Sequence, residues 1–109
     1  MRRVSDRGTF EALAGARRLR VGAVSVRAVQ CEPSGAPRVA YAIGKRTGSA
    51  VVRNRVRRRL RAAVALHEAE LAAGGAYLLS ADRRAMSAPF AELADQVGQV
   101  LRRAQEQLP

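Results

Sequence analysis

The sequence predicts an α+β fold, an α-β-β-α-β-α sandwich in which a small sheet packs on helices. Two observations lead to this prediction. Short segments alternate apolar and polar residues with the period of a strand, and longer segments repeat apolar residues with the period of a helix. The chain has 109 residues, of which 48% are hydrophobic. That composition supports a modest core, and we expect residues 1–109 to form one domain.

The first helix and the first strand are predicted from the N-terminal part of the chain. Residues 5–18 read as a short helix, which Ser5 or Asp6 can cap and Gly15 can end. Residues 17–30 alternate apolar and polar side chains, as in a half-buried strand. We therefore expect a helix that leads directly into one long strand.

A turn, a second strand and a long helix are predicted in the middle of the chain. Residues 31–37 contain prolines and a glycine and read as a turn. The strand at residues 38–44 would then be antiparallel to the first strand, if this turn makes a hairpin. A basic loop leads into a helix from about Ala50 to Leu71, which the following glycines would end.

A third strand and a final helix complete the predicted order. Residues 76–81 are short and apolar, which is typical of a strand, and a loop follows them. Ser87 is the expected N-cap of the last helix, with Pro89 in its first turn.

The charge of the chain indicates a polyanionic partner. The formal net charge is +11 and the isoelectric point is about 11.7. Such a surplus opposes folding through self-repulsion, so a partner that neutralises it is the leading explanation. Nucleic acid is favoured over an anionic membrane, because no segment has the ~20 apolar residues that span a bilayer. The first ten residues lack the apolar stretch of a signal peptide, and we expect a cytoplasmic protein.

The single cysteine and the single histidine point to no chemistry of their own. Cys31 excludes a disulfide framework and is expected to be inert at a strand end. His67 lacks the Cys or His partners of a usual zinc site, and it is expected to lie on a helix surface.

A run of basic residues dominates the predicted long helix. Residues 42–64 hold eight of the twenty Lys and Arg residues and no acid. A merely solvated helix face would mix signs, whereas like charges at i and i+4 repel. Arginine is the residue that grips phosphate at two points, and Asn54 among the arginines can both donate and accept. The run therefore predicts nucleic-acid binding.

RNA is favoured over DNA as the partner. A helix-turn-helix needs a short helix just before the recognition helix, and here a strand and a loop precede it. RNA helices are recognised by shape, phosphates and 2′-hydroxyls, which suits an arginine-rich face backed by a sheet. Two other interpretations stay open at this point: a general RNA-binding protein, such as a ribosomal or assembly protein, and a DNA-binding protein.

The order of residues in the run is more specific than its charge. The stretch "GKRTGSAVVRNRVRRRLR", residues 44–61, resembles the signature of the bacterial ribonuclease P protein component. The matching positions are Lys45, Arg46, Gly48, Ala50, Val51, Arg53, Asn54, Arg55, Arg57, Arg58, Leu60 and Arg61. The resemblance extends over nearly the whole chain in length, charge and predicted element order.

The resemblance implies both a fold and a function. The implied fold is an α-β sandwich like the second domain of ribosomal protein S5, with a left-handed β-α-β crossover. The implied function is that of the protein subunit of a ribonucleoprotein that removes the 5′ leader of precursor tRNA. The RNA subunit would carry the chemistry with Mg²⁺ that it mainly binds itself. The protein would be a monomer in the complex and would bind the RNA subunit and precursor tRNA.

The resemblance also implies which residues bind RNA. The residues expected against the RNA subunit are Lys45, Arg46, Arg53, Asn54, Arg55, Arg57, Arg58 and Arg61. The leader is expected in a cleft between the first helix and the open sheet face, with Phe10, Arg17, Arg18 and Arg20. The family often has a second aromatic residue where this chain has Ala14, so Phe10 either stacks on the leader or only packs. No catalytic residue and no metal ligand is expected in the protein, since its acidic residues are scattered.

Overall fold

The α+β prediction is confirmed by the computed structural model, which describes residues 1–108. One mixed five-stranded sheet is packed with three helices. The strands are β1 (Arg2–Arg3), β2 (Leu19–Val21), β3 (Val24–Gln30), β4 (Arg38–Tyr41) and β5 (Gly75–Ala81). The helices are α1 (Arg7–Gly15), α2 (Ala50–Leu66) and α3 (Phe90–Gln107), with short 3-10 turns at Lys45–Thr47, Glu68–Glu70 and Arg83–Met86.

The strand order is β1-β4-β5-β3-β2, which places the last strand in the middle of the sheet. β3 runs antiparallel to β5, and β4 runs parallel to β5 on its other side. β3 and β4 therefore do not pair, and the hairpin predicted between them, if residues 31–37 formed its turn, is wrong. The apolar β5 is buried along most of its length and therefore takes the central position. The amides of Cys31 and Glu32 donate to the carbonyl of Gly74, and this contact directs the turn past the start of β5.

The single strand expected at residues 17–30 is divided into a tight hairpin. Gly22 has a φ of 57°, a backbone conformation that favours glycine, and the chain reverses between β2 and β3. The Oε1 atom of Gln96 on α3 accepts a hydrogen bond from the amide of Ala23 at 3.2 Å. Because apolar residues continue through the turn, the alternating pattern of the sequence did not reveal it.

The strand β1 was not predicted from the sequence. It pairs in parallel with β4, and the amide of Arg2 donates to the carbonyl of Pro37 at 2.7 Å. Two exposed arginines give no apolar signal, but the next residue, Val4, is buried with Leu13 and Ala76 beneath α1. The position of β1 is therefore set by the side chain that follows it.

The helix ends differ from the predictions at two places. Asp6 caps α1, accepting from the amide of Thr9 at 2.9 Å, and Gly15 is its last residue, as expected. The helix α2 ends at Leu66 rather than Leu71.

The start of the last helix also differs from the prediction. Pro89 is the N-cap residue of α3 and offers no side-chain cap. Ser87, the expected cap, instead ends the preceding 3-10 turn, where its amide donates to the carbonyl of Arg84 at 3.3 Å.

His67 is not a helix-surface residue, contrary to the prediction. It is half-buried at the C-terminal end of α2, and its ring packs against Gly98 of α3. A Cβ atom at Gly98 would lie only 2.7 Å from Cε1 of His67. The absence of a side chain at this glycine lets the two helices approach each other.

The main core lies between one face of the sheet and the helices α2 and α3. A smaller cluster lies on the other face, where α1 covers Val4, Leu13 and Ala76. The strands β4 and β5 with the intervening α2 form a parallel β-α-β unit, the connectivity that the resemblance implies, and its left hand stays a prediction. The helix α1 covers only part of this second face of the sheet, and the rest of the face is open.

Candidate nucleic-acid interface

The charged surface of α2 follows from the burial of its apolar stripe. Ser49 caps the helix, with Oγ accepting from the amide of Val52 at 3.3 Å. The buried residues of the helix are Val56, Leu60, Ala63 and Val64. Its opposite side is exposed and basic. We call the surface formed by Lys45, Arg46, Arg53, Asn54, Arg55, Arg57, Arg58 and Arg61 the basic face; Arg53 and Arg57 are half-buried and the others are exposed.

The basic face has no acidic residue to compensate its charge. The helix α2 contains no Asp or Glu. Within residues 1–108, no arginine of α2 takes part in an ion pair, and neither does Lys45 or Arg46. The ion pairs lie on other parts of the molecule. A bound polyanion would therefore relieve the repulsion between the like charges on this helix.

One hydrogen bond orders the middle of the basic face. Nη1 of Arg57 donates to Oδ1 of Asn54 at 2.8 Å, one helical turn away. This bond occupies the carbonyl oxygen of Asn54 and leaves its amide nitrogen as a donor. Asn54 thus offers a free amide donor among the arginines around it.

A groove runs along the open sheet face and reaches the basic face. Its volume is about 540 Å³. Cross-strand pairing sets Ser25 opposite Ser80 and Arg27 opposite Leu78, and these four residues line the groove. Other lining residues are Arg18, Tyr41, Ala42, Gly44 and Arg57. Arg57 therefore belongs to both surfaces, and the basic face continues into the groove without an intervening acid.

The residues predicted for the leader cleft occupy different surroundings. Arg18 lines the groove, and Arg17 is exposed in the connection between α1 and β2. Phe10 lies on α1 with 41% of its surface exposed, so it is not a core residue. Arg20 is cross-strand to Ser25, but its charge is compensated by an ion pair with Asp82 at 2.7 Å.

Asp82 holds two arginines at the end of the sheet. Arg84 donates to both carboxylate oxygens, with Nη2 2.7 Å from Oδ2, and Arg20 donates to the same Oδ2. The hydrogen bonds from Arg84, joined by that from Arg20, outweigh the desolvation and lower the pKa of Asp82 from 3.8 to about 2. Arg20 is thus fixed at the rim of the open face as half of an ion pair.

Arg27 is a groove residue that sequence reasoning missed. Its Nη1 donates to the carbonyls of Ala14 and Ala16 at 2.9 and 3.0 Å, which ties the end of α1 to the sheet. The sequence did contain a signal for Arg27. It is two residues from Ser25, so both side chains lie on the same face of the strand, and an arginine on that face indicates that the face is not packed into the apolar core. Arg27 therefore both lines the groove and fixes its α1 wall.

Two arginines of α2 have less accessible guanidinium groups. Arg59 donates to the carbonyls of Ala85 and Ala88 at 2.6 and 2.5 Å, and so joins α2 to the segment before α3. The Nε atom of Arg53 is buried and has no hydrogen-bond partner within the described residues. Arg59 thus has a structural role, while Arg53 contributes the outer part of its side chain to the basic face.

The surface does not fit a metal ion. No group of three or more His, Cys, Asp or Glu residues that could hold a metal occurs in residues 1–108. Mg²⁺ takes oxygen ligands, mainly carboxylates and phosphates, whereas the basic face offers nitrogen donors of positive charge. Over the same residues, no helix is long and apolar enough to cross a membrane.

Comparison of sequences relates the chain to one family. The family model described as Ribonuclease P matches residues 1–105. The Ribonuclease P protein component of Symbiobacterium thermophilum is 35% identical over 103 residues, which cover 94% of this chain and 90% of that protein. The Ribonuclease P protein component of Brucella suis is 39% identical over 62 residues, which cover 56% of this chain and 44% of that protein. The match with the Brucella protein therefore spans less than half of its length.

Comparison of structures gives the same fold. The RNase P protein of Staphylococcus aureus superposes with a TM-score of 0.78 at 18% identity over 95% of both chains. The RNase P protein of Thermotoga maritima superposes with a TM-score of 0.79 at 15% identity, over 94% of this chain and 97% of that one. At these identities the likeness concerns the α+β fold alone.

Proposed function

Because the chain belongs to the ribonuclease P protein family, we propose that it is the protein subunit of a ribonucleoprotein that removes the 5′ leader of precursor tRNA. In this proposal the basic face binds the RNA subunit and the groove holds the leader. The observation that carries it is the continuity of the two surfaces at Arg57, with no acidic residue between them.

The basic face would bind phosphates of the RNA subunit. Arg55, Arg58 and Arg61 are exposed and outside every ion pair of the described chain, so each can neutralise a phosphate. Lys45 and Arg46 extend this surface beyond the start of α2, and Arg53 and Arg57 form its margins. Arginine can contact a phosphate at two points, while the free amide nitrogen of Asn54 can donate to a phosphate or a 2′-hydroxyl.

The groove would hold the single-stranded leader. Its floor combines the apolar Leu78 with the hydroxyls of Ser25 and Ser80, and Arg18 and Arg27 line it. Outside the groove lining, the exposed Phe10 on α1 would offer an aromatic surface to a leader base, and the exposed Arg17 after α1 would add charge. Arg20 would contribute little net charge, because Asp82 already pairs with it.

The chemistry would belong to the RNA subunit. Mg²⁺ would be bound mainly by that RNA, since the basic face has no carboxylate ligands and repels cations. The protein would then act as a monomer of one domain in the cytoplasm, by holding the RNA subunit and the precursor tRNA together. No side chain of the protein needs to act as an acid, base or nucleophile in this scheme.

Reconstitution tests the proposal. The purified protein is mixed with a bacterial ribonuclease P RNA at low Mg²⁺, and release of the 5′ leader from a precursor tRNA is followed, with each component alone as a control. We expect cleavage only in the mixture. Binding of both RNAs without cleavage would contradict the proposal and would support the alternative, a general RNA-binding ribosomal or assembly protein.

A further inference from the structure

A second hollow lies on the other side of α2 from the groove. It is lined by Arg46, Thr47, Asp82, Arg83 and Arg84 and has a volume of about 320 Å³. One wall is the 3-10 turn that leads into α2, and the other is the 3-10 turn Arg83–Met86 after β5. The hollow thus adjoins the basic face at Arg46 but is built largely by a segment outside α2.

The charge of the hollow is positive and partly free. Asp82 is its one acid, and its carboxylate is already held by Arg84 within the hollow and by Arg20 beside it. Arg84 is also fixed by a hydrogen bond from Nη2 to the carbonyl of Gly22 at 3.1 Å. Arg83 is exposed and, within residues 1–108, takes part in no ion pair and no side-chain hydrogen bond. Arg83 and Arg46 therefore present the charge that remains available to a ligand.

The position of Arg83 relative to α2 is fixed by contacts at both ends of its turn. Asp82 caps the turn, with Oδ1 accepting from the amide of Arg84 at 2.9 Å. At the other end, Arg59 of α2 donates to the carbonyls of Ala85 and Ala88. The hydroxyl of Thr47 reaches the carbonyl of Ala81 at 3.5 Å from the opposite wall. Because the turn is tied to α2 in this way, the backbone that carries Arg83 is held beside the basic face.

We propose that Arg83, together with Arg46, forms a second phosphate-binding site for the backbone of the RNA subunit, which continues the basic face around the flank of α2. The inference rests on the proposed function, because it takes the RNA bound by the basic face as the partner. An RNA helix presents phosphates on both sides of a groove. On one flank of α2 Arg57 lines the groove and Arg61 lies over Tyr41 at its rim. Arg83 supplies the corresponding charge on the other flank, where its turn is bonded to Arg59.

The test measures the salt dependence of binding to the RNA subunit without precursor tRNA, and then the affinity of the assembled complex for precursor tRNA. The variants are Arg83→Ala, the charge-retaining Arg83→Lys, Arg58→Ala on the basic face, and Arg7→Ala. Arg7 is a matched control that removes one exposed arginine from α1, where it pairs with Glu11. Melting temperatures establish that each variant is folded.

We expect Arg83→Ala to reduce the slope of log K against log salt by about 0.7 to 0.9, which corresponds to one lost phosphate contact. The ratio of wild-type affinity to Arg83→Ala affinity should then fall about threefold between 50 and 200 mM salt. Arg83→Lys and Arg7→Ala should keep the wild-type slope.

The outcomes separate this inference from the proposed function. If Arg58→Ala lowers the slope and Arg83→Ala does not, the second site is wrong and the basic face stands. If neither variant changes the slope, Arg83 and Arg58 both lose their assignment as phosphate contacts, and the reconstitution assay decides the proposed function separately. If Arg83→Ala changes only the affinity of the assembled complex for precursor tRNA, the hollow binds the substrate instead, and the assignment to the RNA subunit is overturned.

Discussion

The guanidinium of Arg61 lies over the ring of Tyr41, with Cζ 5.4 Å from the ring centroid. Arg61 belongs to α2 and Tyr41 ends β4, so this contact joins the basic face to the rim of the groove. Burial raises the pKa of Tyr41, against an opposing effect of the nearby Arg61 charge. The ring is therefore neutral at physiological pH, and it holds the arginine through its π face.

The contact predicts that Tyr41 positions Arg61 for RNA. Tyr41→Leu removes the π face and should weaken binding to the RNA subunit by about two- to fivefold, because an exposed cation–π pair contributes about 0.5–1 kcal/mol. The salt slope should not change, since no charge is lost. Tyr41→Phe keeps the ring and should bind like the wild type. Equal losses in Tyr41→Leu and Tyr41→Phe would contradict this role and would point to the hydroxyl.

Arg59 is predicted to act on stability and not on RNA binding. Arg59→Met keeps much of the aliphatic length but loses two hydrogen bonds to the carbonyls of Ala85 and Ala88. We expect a loss of about 1.5–3 kcal/mol in the free energy of unfolding, measured with urea. Arg58→Ala, one residue away and exposed, should unfold like the wild type. The prediction is wrong if Arg58→Ala shows this loss of stability and Arg59→Met unfolds like the wild type.

The contrast between Arg58 and Arg59 illustrates what the sequence can predict. The signature and the helical period placed the basic run on α2 and gave its outward side correctly. They could not reveal that Arg59 turns to backbone carbonyls of a distant segment, because that contact depends on tertiary packing. Arg27 was missed although its face of the strand could be read, because that face becomes the wall of a groove only when β3 pairs with β5.

Strand pairing was the part of the fold that local patterns could not settle. Residues 31–37 have the composition of a hairpin turn, yet they connect strands on the two sides of β5. The burial of β5, which is complete on the helix face and partial on the groove face, favours the central position, and this order becomes visible only when the whole sheet is assembled. The hairpin at Gly22 was concealed in the opposite way, because apolar residues continue through a real turn.

The contact between Gly98 and His67 predicts that a small substitution lowers stability. Gly98→Ala would place Cβ 2.7 Å from Cε1 of His67. Overpacking of this kind costs about 1–3 kcal/mol, against a gain of up to about 1 kcal/mol from helix propensity, so we expect a net loss of stability. Gly15→Ala is the matched control, since a Cβ there meets nothing within 4 Å.

Unfolding in urea measures the effect of both glycine substitutions. The double variant Gly98→Ala/His67→Ala should recover much of the loss, because the ring that meets the new methyl group is removed. A Gly98→Ala protein as stable as Gly15→Ala would show that the His67 ring moves aside without cost, and it would contradict the tight contact between this ring and Gly98.

The lowered pKa of Asp82 predicts a dependence of stability on pH. Its pKa is lowered in the folded protein from 3.8 to about 2. The ionised carboxylate therefore contributes stability that is fully present above about pH 4 and is lost as the pH falls towards 2. Asp82→Asn removes this contribution, so the difference in unfolding free energy between wild type and variant should shrink over that range.

Urea unfolding at a series of pH values between 5 and 2 checks this prediction. Glu106→Gln is a suitable control, because Glu106 is exposed near the end of α3 and forms no ion pair with the residues described by the structure. The difference in unfolding free energy between the wild type and Glu106→Gln should not shrink in this way. A constant difference between the wild type and Asp82→Asn from pH 5 to pH 2 would mean that Arg84 and Arg20 do not stabilise the carboxylate.

The exposure of Phe10 predicts a role in leader binding rather than in the core. With 41% of its surface exposed, Phe10→Ala should lower the melting temperature only slightly. The reconstituted complex should bind a precursor tRNA less tightly by about 5- to 150-fold, the effect of losing about 1–3 kcal/mol of stacking on one base. Mature tRNA, which lacks the leader, should bind the variant and wild-type complexes equally well, because it has no leader base to stack on Phe10. A substantial loss of thermal stability with unchanged affinity for the precursor would instead assign Phe10 to packing, and the groove would then hold the leader by charge alone, through Arg18 and Arg27.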